Sequence, residues 1–179
     1  MKKASVICVD ENDKEIGVMP KMEAHEKAVL HRAFSVFIFN SDGLLLMQQR
    51  ASRKYHSALL WANTCCSHPV PGETTEGAAK RRLREEMGME AELRHLFKFQ
   101  YKAPFDNSLT EHEIDHVFIG RSDAMPLINK AEVESYAYIS IDELKKQMEE
   151  APEQFTVWFR IIFRRLIKEY KLNSLIFKK

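Results

Sequence analysis

A chain of 179 residues, 45% of them apolar, is long enough to bury a substantial core as one domain. Its net charge of +1, with acids and bases interspersed, excludes a dedicated nucleic-acid binder but leaves room for a local basic pocket that holds a small anion. No run approaches the ~20 apolar residues needed to span a membrane, and the short run Val6 to Val9 after Met1-Lys2-Lys3-Ala4-Ser5 does not make a signal peptide.

The three cysteines, Cys8, Cys65 and Cys66, are odd in number and include a vicinal pair. They fit no disulfide framework and point to a reducing compartment, so the chain reads as cytoplasmic. Val6 to Val9 reads as a strand, 10–13 as a turn, and Glu15 to Pro20 as a second short strand. Phe34 to Phe39 is a β-branched and aromatic run, Asn40-Ser41-Asp42-Gly43 supplies turn chemistry, and Leu44 to Gln49 returns, which predicts a hairpin. The segment Trp61 to Pro69 fits no single class, and Pro71-Gly72 marks a turn. Thr74 or Thr75 can cap a helix to about Met87, with Gly88 at its left-handed C′ position. Strands resume at Ala91 to Tyr101 and Glu111 to Gly120 around a loop at 103–110, and again at Tyr136 to Ile139. Ser140 and Glu143 form a capping box for a helix through Glu150. A last helix at about 153–171 can begin near Pro152, with Phe155, Trp158, Phe159, Ile162, Leu166 and Tyr170 at helical spacing. The expected fold class is α+β, a mixed and largely antiparallel sheet with a few packing helices, in a single domain over 1–179.

The helix after Pro71 places bases in its middle and Glu85-Glu86 at its C-terminal end, where acids oppose the helix dipole. Arg81–Glu85 and Arg82–Glu86 also stand in the less favourable order for i,i+4 support. Two readings are open. One is a solvated charged face; the other is a carboxylate presented to a divalent cation that also holds a polyphosphate, with arginine neutralising the anion.

Cys66 directly precedes this helix. A buried cysteine is usually an inert small hydrophobe, but one at the approach to a metal-binding helix can transfer protons if its pKa is tuned. In extended chain Cys65 and Cys66 face opposite ways, so only one belongs to a site. His25 and His31 show no standard zinc spacing, and spacing alone does not recruit them. Glu111 and Glu113 share one face of a strand, which suggests a metal, a raised pKa, or a plain polar face. His112 and His116 lie on the opposite face and read as structural.

The segment 67–89 resembles the Nudix box: Glu73, Arg81, Leu83, Glu85, Glu86 and Gly88 fall on pattern positions. Ser67 stands where the first glycine is expected, and Arg82 replaces a glutamate that the hydrolases use in their metal cluster. Read with Ala24-His25, His31 to Ser35, Asn63 to Pro69, Tyr101, Glu111-His112-Glu113 and Phe155 to Trp158, the chain resembles the type I isopentenyl-diphosphate isomerases, a non-hydrolytic Nudix branch. That resemblance implies a Nudix fold with mixed and antiparallel sheets, packing helices and a C-terminal helical elaboration. It implies one divalent metal, manganese, magnesium or zinc, on His25, His31, His68, Glu111 and Glu113. Glu86 with the Cys66 carbonyl would hold a magnesium ion that arrives with the diphosphate. Cys66 and Glu113 would be the opposed acid and base, with Tyr101 on the Glu113 side. Lys21, Arg50, Lys54 and Arg82 would grip the diphosphate, and Trp158 would lie beside the hydrocarbon.

The implied reaction interconverts isopentenyl and dimethylallyl diphosphate through a tertiary carbocation, with a small-molecule substrate and a monomeric enzyme as further expectations. The alternatives are a Nudix hydrolase of a nucleoside or other diphosphate, against which Arg82 argues, and a catalytically silent metal-binding module.

Overall fold

The run His-Arg-Ala-Phe-Ser-Val-Phe-Ile-Phe forms the central strand β3 (His31–Phe39), and the rest of the sheet is organised on it. The computed structural model describes residues 5–105 and 108–170 of the chain. Residues 1–4, the end of the last predicted helix at 171 and the Tyr170 side chain lie outside the described residues.

Before β3 come β1 (Ser5–Val9), β2 (Glu15–Pro20) and a short helix α1 (Lys21–Glu26). After it come β4 (Leu45–Arg50), β5 (Trp61–Ala62), β6 (Cys65–Ser67) and α2 (Thr75–Met87). The chain ends with β7 (Leu93–Pro104), β8 (Thr110–Arg121), β9 (Val133–Ile139), α3 (Ile141–Glu150) and α4 (Val157–Tyr170). β3 runs parallel to β8 over its whole length and antiparallel to β1, β4 and β6 over short stretches. β7 pairs with β8, and β9 with β4, both antiparallel.

The alternation of strand side chains divides the core between two layers. Phe34, Val36 and Ile38 of β3 pack with Ala78, Ala79, Leu83 and Met87 of α2. Phe37 and Phe39 pack on the other face with Leu144 of α3 and Trp158, Phe159, Ile162 and Leu166 of α4. On that second face β8 carries Val117 and Ile119 in the core, while Glu111, Glu113 and Asp115 continue the same row toward its N-terminal end. This face thus has a polar end, and its other end is the apolar seat of α4.

Several predicted boundaries moved: β7 runs on to Pro104, into the expected loop at 103–110, and β9 begins at Val133 rather than Tyr136. The strand expected from Phe34 begins at His31, where β8 supplies the parallel partner Glu113. The last helix expected from Pro152 is interrupted. Pro152–Gln154 make a single 3-10 turn, and Phe155 then bridges Trp61 while the Thr156 N–H donates to the Trp61 carbonyl at 2.9 Å. The helix restarts at Val157, which puts Trp158 in its first turn. α1 was not anticipated. Thr74 is the cap of α2, its hydroxyl accepting from Gly77 N–H at 3.1 Å. Gly88 sits at φ 63°, and a Cβ there would meet the Leu127 carbonyl oxygen at 2.6 Å, so glycine is needed for conformation and for space. Ser140 caps α3 as expected, but the Glu143 carboxylate accepts from Gln147 at 2.9 Å. Among the described residues no helix is long and apolar enough to cross a membrane.

Candidate active site and metal centre

Strand register builds the centre of the site. Tyr101 on β7, Glu113 on β8 and His31 on β3 are level across three neighbouring strands. Cys66 on β6 is level with Ser35 on β3, further along the same face. Cys65 points the other way and is fully buried in the α2 layer, as alternation predicts. The helix α1 brings in His25, and the chain just after β6 brings in His68.

Cys66, His68, Tyr101 and Glu113, with His56, Glu86, Glu111, Asp115 and Trp158, line a cavity of about 60 Å³. It is continuous in lining with an outer groove of about 880 Å³ through Lys21, Lys54, Tyr55, Ser67, His68 and Arg82. Three of the cations expected to hold a diphosphate, Lys21, Lys54 and Arg82, therefore stand at the mouth, while Arg50 and the proton-transferring candidates stand inside.

His25, His31, His68 and Glu113 each offer a ligand atom, all within 4.8 Å of one another. The Nδ1 atoms of His25 and His31 lie 2.7 Å and 2.8 Å from the carbonyls of Lys21 and Val29, to which they donate. That fixes their tautomer and leaves buried Nε2 lone pairs without a hydrogen-bond donor, the usual arrangement of metal-binding imidazoles. The His68 and His31 Nε2 atoms converge on one oxygen of Glu113, at 2.9 Å and 3.3 Å. The donor set and its orphaned nitrogens fit a divalent ion. Glu111 stands aside from this group. Its ligand atom clusters instead with His25 and with His56, a residue that no motif had indicated.

The protonation states are set by burial and neighbours. Burial opposes ionisation of Glu113, but the His31 and His68 imidazoles against its carboxylate outweigh it and hold the carboxyl well below its usual range. Glu111, buried beside that charge, is pushed well above it. The Tyr101 hydroxyl lies between the two, 2.7 Å from Glu113 and 3.0 Å from Glu111. Burial pushes the Cys66 thiol up to about 12, with Glu86, Glu111 and Asp115 adding to the effect against Arg50. His68 falls to about 3 through burial and the Lys21 charge. The site therefore pairs a neutral thiol with an ionised carboxylate.

The remaining expected residues fall into place unevenly. Glu86 is buried, accepting from Gln48 at 3.0 Å and from Arg82 at 2.6 Å, so it is no solvated face residue. Arg82 also reaches Glu85 at 2.8 Å and Glu132 at 3.3 Å, and Lys54 is paired with Glu132. Lys21 and Trp158 line the cavity. Arg50 does too, but its guanidinium donates to the carbonyls of His56 and Ser57, both at 3.2 Å, and lies 5.1 Å from the Trp158 ring centre. Gln48, Glu132, Asp115 and His56 were missed. For Asp115 a signal existed: it is the third acidic residue, at i+4, on the face that carries Glu111 and Glu113.

The family profile described as NUDIX domain matches residues 29–159. The chain is 55% identical over 166 residues to the isopentenyl-diphosphate Delta-isomerase of Pectobacterium atrosepticum, covering 93% of each chain. It is 51% identical over 162 residues to isopentenyl-diphosphate Delta-isomerase 1 of Aromatoleum aromaticum, covering 90% of this chain and 92% of the relative. The crystal structure of DR0079 from Deinococcus radiodurans superposes with a TM-score of 0.68 at 23% identity, over 82% of this chain and 90% of that one. A MutT NUDIX hydrolase from Burkholderia pseudomallei gives 0.61 at 19% identity, over 76% and 98%, and such likeness speaks to fold alone. With its box helix, its sheet and the two relatives in agreement, the chain belongs to the Nudix-domain family and, within it, to the isopentenyl-diphosphate Delta-isomerases.

Proposed function

We propose that the protein interconverts isopentenyl diphosphate and dimethylallyl diphosphate, with Cys66 and Glu113 as the opposed proton donor and acceptor. The observation that carries this reading is that Cys66 and Glu113 line one cavity, from β6 and β8, which both pair with β3; burial pushes the thiol up there and the imidazoles beside Glu113 push its carboxyl down. In the forward direction the Cys66 S–H gives its proton to the terminal methylene carbon. The electron pair of the double bond forms the new C–H bond and leaves a tertiary cation at the branched carbon. The Glu113 carboxylate then takes a proton from the neighbouring methylene, and that C–H pair becomes the new double bond. No redox partner is needed, because one proton enters and one leaves.

Each neighbouring group has a task in this scheme. Tyr101 donates to Glu113 and fixes the carboxylate for abstraction. Trp158, 3% exposed, lines the cavity, and its indole would stabilise a cation at its face by roughly 2 kcal/mol when desolvated. Water has to be kept from the bound hydrocarbon, because it would trap the cation. Lys21, Lys54 and Arg82 at the mouth attract the diphosphate, and Arg50 completes the positive wall. His25, His31, His68, Glu111 and Glu113 would hold a divalent ion, and Glu86 with the Cys66 carbonyl would meet magnesium that arrives with the diphosphate. Such an ion, when bound, supplies positive charge that acidifies the groups around Glu113.

Proton NMR of isopentenyl diphosphate in heavy water, with protein and magnesium, tests the reading. Deuterium entering the methyl groups of a dimethylallyl product is expected. Release of phosphate without double-bond migration would instead establish hydrolysis, and metal binding with no turnover would leave a silent module.

A further inference from the structure

His56 stands where the metal cluster meets the aromatic wall, and neither the box nor the histidine spacing accounts for it. Its ring is buried, 9% exposed. Nε2 lies 3.5 Å from Glu111 Oε1, and His25, His56 and Glu111 offer ligand atoms within 4.8 Å of one another. On the other side of the ring, Nδ1 is 3.2 Å from the Ser57 hydroxyl. A hydroxyl that donates to Nδ1 leaves the ring proton on Nε2, facing the carboxylate. The ring stacks on Phe105 at 4.6 Å and meets the Trp158 ring edge-on at 5.9 Å.

The loop is built to hold the ring there. Arg50 clamps the carbonyls of His56 and Ser57, and the Leu59 N–H donates to the Arg50 carbonyl at 3.1 Å. Ser57 and Leu59 both adopt left-handed backbone, at φ 50° and 61°, a conformation that non-glycine residues take at a cost.

We infer that His56 is a positioning residue for the metal centre: its Nε2–H hydrogen-bonds Glu111 and aims the other carboxylate oxygen, or its shared face, at the divalent ion. Glu111 is the expected ligand that stands outside the tight group formed by His25, His31, His68 and Glu113, so it is the one that needs an orienting partner. Tyr101 holds its Oε2, and His56 faces its Oε1. At 3.5 Å the contact is longer than a normal hydrogen bond, and the inference requires it to shorten when Glu111 turns toward the ion. The stack with Phe105 and the contact with Trp158 tie the same ring to the wall expected to face hydrocarbon, so the metal centre and that wall share one support.

This inference rests on the metal-dependent isomerase reading, and its test separates the two. Mn2+ affinity of the full chain is measured by calorimetry and by electron paramagnetic resonance, for wild type, His56→Gln and His56→Phe. Glutamine keeps a donor near the Nε2 position; phenylalanine keeps the ring without it. Loss of such a supporting contact is expected to weaken Mn2+ binding about 10–100-fold in His56→Phe and no more than about threefold in His56→Gln. The turnover lost by His56→Phe at limiting Mn2+ is expected to return at high Mn2+. The melting temperatures of the chelated proteins should agree. Unchanged affinity in His56→Phe overturns the inference alone. Equal losses in both variants overturn it as well, either with one imidazole coupling gone from the Mn2+ spectrum, which makes His56 a ligand, or with both chelated variants melting early, which makes it a packing residue. A wild-type chain that takes up no Mn2+ removes the metal reading and the inference together.

Discussion

Cys65 and Cys66 are neighbours in sequence, and strand alternation alone gives them different surroundings. Cys65 is fully enclosed by the α2 layer, while Cys66 faces the cavity with its thiol held neutral up to about 12. On the proposed mechanism, removing the Cys66 thiol removes the proton that an unactivated alkene must receive. Cys66→Ala is expected to lower turnover by about 10²–10⁴-fold or more, the worth of a positioned acid, without changing Mn2+ affinity, because its sulfur is not among the clustered ligand atoms. Cys65→Ala should cost about 1 kcal/mol of packing and little activity. NMR turnover assays paired with calorimetry decide this; near-normal turnover in Cys66→Ala refutes the assigned chemistry. A second expectation concerns Glu111. Its carboxyl is pushed well above the usual range by burial and by the adjacent Glu113 charge, while burial pushes His25 and His68 down. Ligands must shed their protons, so binding of one divalent ion near neutral pH is expected to release about one proton. Affinity should then rise with pH. Calorimetric titrations in two buffers of different ionisation enthalpy measure the count, and a value near zero contradicts the protonation assigned to Glu111.

The elements explain why parts of this site were legible in sequence and parts were not. The hairpin turn, α2 with its cap and Gly88, and the alternation of Cys65 with Cys66 follow from local chemistry. The set His25, His31 and His68 came from family resemblance, since the three sit on α1, on β3 and after β6, and no spacing rule links them. α1 has six residues, too few to show a period, and Pro20 provides no side-chain cap. His56 lies in a loop whose inward turn depends on Arg50 and on left-handed residues, so nothing local announces it. The break before α4 arises from pairing with Trp61, a residue more than ninety positions away. Asp13 illustrates the same non-local logic in a purely structural tie. From the β1–β2 turn it accepts from Arg32 at 2.7 Å and Lys98 at 2.9 Å, and meets His116 at 2.8 Å, joining the turn to β3, β7 and β8. Burial works against its charge, but these partners outweigh it and hold the carboxyl below its ordinary 3.8. A depressed carboxyl stabilises the fold above that value, and the contribution is lost as pH falls through the folded pKa. Asp13→Asn is therefore expected to lose about 1–3 kcal/mol at pH 7. Its deficit relative to wild type should shrink as pH drops below 3.8. Urea unfolding over a pH series checks the sign, and a deficit that is constant with pH would deny the charge its role.

Taken whole, the molecule gathers four buried carboxyl groups, Glu86, Glu111, Glu113 and Asp115, around one cavity. Their placement costs stability. Asp115 shows the strain: burial and the Glu113 charge raise it to about 8, with only Ser35 bonded to it at 2.8 Å. A fold selected for stability alone would fill this end of the sheet as it fills the other, with side chains like Val117 and Ile119. On the proposed reading the arrangement would become favourable when a cation joins the three imidazoles and the carboxylates, tying α1 and the chain after β6 to the paired strands β3 and β8. Binding to the native state alone adds about 2.7 kcal/mol at a hundredfold excess over the dissociation constant. For a chain of this size that raises the melting temperature by roughly 5–10 °C. Chelated and Mn2+-loaded protein should differ by this amount in a thermal melt, and the difference should vanish in His31→Ala, whose orphaned Nε2 is central to the cluster. If loaded and chelated wild type melt together while Mn2+ still binds, the ion sits elsewhere, and the buried carboxylates must be stabilised by another partner.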